Sequence, residues 1–150
     1  MAADPFDLQR FVDAQAQTYG QARAELAAGR KRGHWIWFIF PQIQGLGFSE
    51  MSRQYAISGL DEARAYLAHP LLGARLRECV ALINAFEDRT LNAILGDPDD
   101  LKFHSSVTLF VEADGGSVFV DALKRYFAGK HDQATVDRIK AEGARRAQSV

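Results

Sequence analysis

Cysteine is nearly absent from this 150-residue chain, Cys79 being the only one. One thiol excludes an intramolecular disulfide and any zinc or iron–sulfur site built on cysteines. Excess charge is absent too: 18 Lys and Arg against 19 Asp and Glu leave a net charge of −1. No global field then draws the protein to nucleic acid or an anionic membrane, and no nucleic-acid partner is expected. Long apolar runs are missing. The longest, Trp35 to Pro41, is far short of the ~20 residues that span a bilayer. Asp4 and Asp7 stand where a secretory signal needs positive charge. A cytoplasmic protein with no membrane partner is expected.

Several chemical signatures are also lacking. There is no Gly-x-x-x-x-Gly-Lys, no Gly-x-Gly-x-x-Gly after a strand and no Gly-x-Ser-x-Gly, so neither a phosphate cradle nor a nucleophile elbow is expected. His34, His69, His104 and His131 are scattered, none with a second His or acid at the spacing of a zinc-binding helix. No metal and no cofactor are expected. Internal repeats, low-complexity tracts and linkers are absent, so residues 1–150 are read as one domain.

What is present is an ordinary globular composition, 47% hydrophobic and 25% charged, with dense helix punctuation. Asp4-Pro5-Phe6-Asp7 reads as a helix start ahead of Leu8, Phe11 and Val12. Thr18 to Ala28 reads as a second helix stopped by Gly29. Ser58 and Asp61 have capping-box spacing ahead of Leu60, Ala63 and Leu67. Pro70 opens the next helix, whose stripe is Leu72, Leu76, Cys79, Val80 and Ile83. Thr90 caps a short turn closed by Gly96, and Asp97-Pro98-Asp99-Asp100 is an emphatic start. The run that follows is β-branched and aromatic from Ser105 to Val111, which also suits a strand. The acidic cap favours a helix. Asp114-Gly115-Gly116-Ser117 is a turn and a cap, and Asp132 opens a last helix. The expected fold is all-α, with about seven helices. The basic run Arg30-Lys31-Arg32 reads as a solvated helix end.

One segment does not fit a plain bundle. Gly33 to Ser49 holds both tryptophans and three of the ten phenylalanines, with Pro41, Gly45 and Gly47. Its aromatics can be core, each burying 150–250 Å² by the general rule, roughly. Beside them stand His34, Gln42, Gln44 and Ser49, and apolar mass with a few polar groups also describes a pocket wall.

This block, Gly33-His34-Trp35-Ile36-Trp37-Phe38-Ile39-Phe40-Pro41-Gln42 with Gly45, Gly47 and Ser49, resembles an uncharacterised bacterial and fungal domain-of-unknown-function family. The resemblance continues through Tyr55-Ala56-Ile57, His69-Pro70-Leu71-Leu72-Gly73 and Asp100 to Phe110. It implies a compact helical domain and brings no established activity. Such proteins sometimes carry the label calpastatin, a calpain inhibitor. Its disordered, aromatic-poor repeats have no counterpart in this aromatic-rich, capped chain.

Lys102, Ser105 and Ser106 lie at i, i+3 and i+4 and share a helical face. That face can be an exposed polar stripe, or it can meet the aromatic segment. In the second case His34, Trp37, Gln42, Ser49, Lys102, Ser105 and Ser106 form a pocket for a small polar or anionic, nucleotide-type ligand. Whether a reaction follows binding is left open, and the sequence sets no oligomeric state. The alternative is a protein–protein interaction domain with neither ligand nor catalysis.

Overall fold

The computed structural model describes residues 3–148. The chain runs through α1 (Gln9–Ala16), α2 (Tyr19–Ala28), α3 (Ile36–Ile39), α4 (Glu50–Gln54) and α5 (Leu60–Ala68), then α6 (Leu72–Asn84), α7 (Leu91–Leu95), α8 (Asp99–Glu112), α9 (Ser117–Phe127) and α10 (Gln133–Gln148). The fold is all-α. Among the described residues there are ten helices rather than about seven, and the surplus is α3, α4 and α7, each of four or five residues. Helices this short leave no periodic stripe in the sequence and are held by packing.

Helix α8 is the axis of the core. Phe103 and every residue from Ser105 to Phe110 are buried, because α3, α5, α7, α9 and α10 all pack on it. β-branched residues are tolerated here because the neighbouring helices clothe them on every side. Against it lies α5, backed by α6, whose stripe Leu72, Leu76, Cys79, Val80 and Ile83 is buried as its spacing predicts. At Gly73 the two helices touch so closely that a Cβ would fall 2.1 Å from the Leu67 carbonyl oxygen.

The helix starts were legible in part. Asp4 satisfies the first free N–H groups of α1, accepting from Leu8 N at 2.7 Å and Gln9 N at 2.9 Å. Ser49 caps α4 and Thr90 caps α7. Asp132 Oδ2 accepts from Thr135 Oγ1 at 2.6 Å and Ser105 Oγ at 2.8 Å, fastening the start of α10 to α8.

Two starts differ from expectation. Ahead of α5 the cap position belongs to Gly59, with no side-chain cap, and Ser58 N and Oγ both donate to Glu62 Oε1. The other Glu62 oxygen is ion-paired with Arg10 at 2.9 Å, so this buried acid has partners on both oxygens. Ahead of α8 the cap position belongs to Pro98, with no side-chain cap, and Asp97 is exposed. Ahead of α9 Gly116, at φ 114°, takes the cap position within the expected Asp114–Ser117 turn. No helix among the described residues is long and apolar enough to cross a membrane.

Candidate functional site

The Gly33–Ser49 segment is anchored by Glu25, on the last turn but one of α2. Its Oε1 accepts from Arg32 N at 2.8 Å, Gly33 N at 2.9 Å and the Trp35 indole Nε1 at 2.9 Å, while Oε2 accepts from Gln21. Desolvation pulls this carboxyl upward, but the N–H groups of Gly33, Arg32, Gln21 and Trp35 outweigh it and press the pKa down to about 2. Glu25 stays ionised and gathers the turn.

Trp35, Ile36, Phe38, Ile39 and Phe40 then enter the core. Trp37 projects the other way and is half-buried. Its ring meets α8, with Lys102 Nζ 5.4 Å from the centroid. One turn below, Lys31 Nζ lies 4.9 Å from the Trp35 ring. Asp99 joins the two lysines, 2.7 Å from Lys31 Nζ and 3.8 Å from Lys102 Nζ. Lys31 is therefore no solvated helix end. Its side chain is only 7% exposed, because Asp99 and the Trp35 face replace water, whereas Arg30 and Arg32 are exposed.

On α3 the Trp37 indole Nε1 and on α8 Ser106 Oγ are buried without a partner. Ser106 lies one turn beyond Lys102 and is 1% exposed. Unpaired buried polar atoms are uncommon enough to mark a place of interest. Ser105 is buried too, with its hydroxyl on Asp132.

The other predicted site residues fall elsewhere. His34 is exposed. Ser49 Oγ accepts from Ser52 N at 3.1 Å and donates to Ser52 Oγ at 2.8 Å. Gln42 borders a cleft of about 140 Å³ together with Gln44, Gly45, Gly47, Ser52 and Arg53; Trp37 and Lys102 are not among its walls. The structure thus brings Trp37 and Lys102 together, with Ser106 one turn further along α8, and puts Gln42 and the Ser49 turn elsewhere.

Glu25, Lys31 and Arg53 were missed as site residues. Glu25 sits in an ordinary helical run, and its role depends on a turn that folds back on α2. Cys79 is buried and its thiol is pushed up to about 12, first by desolvation, so it stays protonated and inert. Among the described residues no group of three or more His, Cys, Asp or Glu could hold a metal ion. Phe48 and Leu101 are exposed, at 79% and 62%.

No curated protein matches this sequence. The chain is similar to the conserved hypothetical protein Rv1873 from Mycobacterium tuberculosis, solved by crystallography at 1.38 Å. The two are 54% identical, with a TM-score of 0.88, over 89% of this chain and 96% of that one. Residues 5–139 match the family described as "Protein of unknown function (DUF1810)". That match spans most of the sequence, and this chain belongs to the DUF1810 family.

Proposed function

We propose that this protein is a cytosolic binder of a small anionic molecule with a planar ring, held where α3 meets α8. The observation that carries the reading is Lys102 over the Trp37 ring while Asp99 is already paired to Lys31 at 2.7 Å. Two ammonium groups share one carboxylate, so one positive charge is left over at Lys102, the more exposed of the two lysines at 27%. An aromatic face beside an uncompensated cation suits a ligand that stacks its ring and offers an anion to the ammonium. The Trp37 Nε1–H and the Ser106 hydroxyl are buried without a partner on the same two helices, which leaves unsatisfied polarity there. His34, Gln42, Ser49 and Ser105 are left out of this site: Gln42 and Ser49 lie at a separate turn and Ser105 is held by Asp132.

A thermal-shift screen with ring-bearing phosphates and carboxylates tests this reading. A ligand at 100 times its Kd raises stability by about 2.7 kcal/mol. Lys102→Ala is expected to abolish the shift and leave the melting temperature of the free protein nearly unchanged. A variant that binds as the parent does would overturn the reading, as would a large drop in free-protein stability, which makes Lys102 structural. The exposure of Phe48 and Leu101 favours a second reading, an interaction surface. In that case Phe48→Ser with Leu101→Ser abolishes association with a partner and leaves small-molecule binding intact.

A further inference from the structure

We infer that the cleft between residues 42–44 and α4 is a second site, a subsite for a small oxoanion such as a carboxylate or phosphate group. It is separate from the α3–α8 junction and rests on different observations. The first is backbone order. Ile43 pairs in an isolated parallel bridge with Ile57, and Gln44 N and Gln42 O each bond to the Ile57 backbone at 2.8 Å. An extended run alternates its side chains. Ile43 therefore enters the core at 2% exposure, while Gln42 and Gln44 both border the cleft.

The second is the opposite wall. Gly47 approaches α4 so closely that a Cβ would fall 2.5 Å from Ser52 Oγ. Gly45 has φ 94°, and a Cβ there would meet the Arg138 guanidinium at 2.5 Å. Arg138 Nε donates to Gln44 O at 3.1 Å and clamps the turn from outside. Gly45 is favoured by its positive φ, and the turn is held by the Arg138 bond and the Ile57 backbone bonds before any ligand arrives. That lowers the ordering cost of binding.

The third is the chemistry of the walls. Arg53 borders the cleft, and its guanidinium has no hydrogen-bonded or ion-paired partner among the described residues. The Gln42 and Gln44 carboxamides have none either, and Ser52 Oγ accepts from Ser49, which leaves its own proton to donate. No carboxylate lines the cleft. A guanidinium fork with amide and hydroxyl donors and no competing acid is a set of partners for an oxoanion. Size sets the limit. At about 140 Å³, the cleft holds some four or five waters' share of liquid, roughly 30 Å³ each, which suits an anionic head group and not a whole nucleotide.

The test is a titration of the full ¹⁵N-labelled chain with inorganic phosphate and, separately, with acetate, against chloride at equal ionic strength. Saturable shifts at Gln42, Gln44, Gly45 and Gly47 with either oxoanion and not with chloride are expected. Phosphate alone assigns a tetrahedral head group, and acetate alone a planar one. Arg53→Gln, at an exposed and unpaired side chain, should weaken binding at least about tenfold through loss of a charge-assisted bond, with Arg53→Lys between the two. Lys102→Ala should leave these shifts in place, which separates this site from the one at α3–α8. Equal shifts with chloride, or full binding by Arg53→Gln, would overturn the inference.

Discussion

Replacing Glu25 tests the anchoring of the aromatic segment most directly. Its Oε1 receives three N–H donors. Arg32 is exposed, so water replaces the carboxylate for that amide. The Gly33 amide and the indole of the fully buried Trp35 have less recourse to solvent. Leaving such donors unpaired costs about 1–3 kcal/mol each, and the exposed side chain trims the upper end. Glu25→Ala should therefore cost about 2–4 kcal/mol, and Glu25→Gln, which keeps an acceptor of the same shape, about 1–2 kcal/mol. The pH dependence follows from the folded pKa of about 2, below the ordinary 4.5. The ionised carboxyl's contribution is complete above the unfolded pKa and is lost as pH falls through the folded one. The gap between the parent and Glu25→Gln should thus be widest above about pH 5 and close towards pH 2. Urea unfolding followed by tryptophan fluorescence reads it, since both tryptophans lie in the anchored segment. Equal stabilities at pH 7, or a gap constant from pH 7 to pH 3, would refute the argument.

Other substitutions separate close packing from capping. Gly73→Ala should cost about 3 kcal/mol or more, because its Cβ meets the Leu67 carbonyl at 2.1 Å and only a shift of α5 against α6 makes room; urea unfolding checks it, and a loss under 1 kcal/mol would show that the helices part easily. Asp97→Ala should change stability by less than about 0.5 kcal/mol, since Asp97 is exposed and caps nothing. Asp132→Ala should cost about 1–3 kcal/mol, since its carboxylate receives Ser105 and Thr135. Comparable losses at the two aspartates in calorimetry would put the cap of α8 back at Asp97.

The seven helices of eight residues or more were readable because each carries a start signal, a stop or a stripe at helical spacing. Leu72, Leu76, Cys79, Val80 and Ile83 can be buried on one side only if residues 72–84 are helical. Local physics stopped there. Helices α3 and α4 are single turns, below the length at which periodicity appears. Which acid partners Ser58 depended on Arg10, which reaches Glu62 from a remote part of the chain. The same holds at the candidate site. Helical spacing put Lys102 and Ser106 on one face, and composition marked Trp37 as part of an unusual segment. The approach of Lys102 to Trp37, and the burial of Lys31 against Asp99, came from the packing of the aromatic segment on α8. An ammonium group leaves water only where a carboxylate and an aromatic face are brought to it together. Trp35 lies four residues along from Lys31, but Asp99 reaches it from α8, and no local pattern around a lysine records a partner that arrives from elsewhere in the chain.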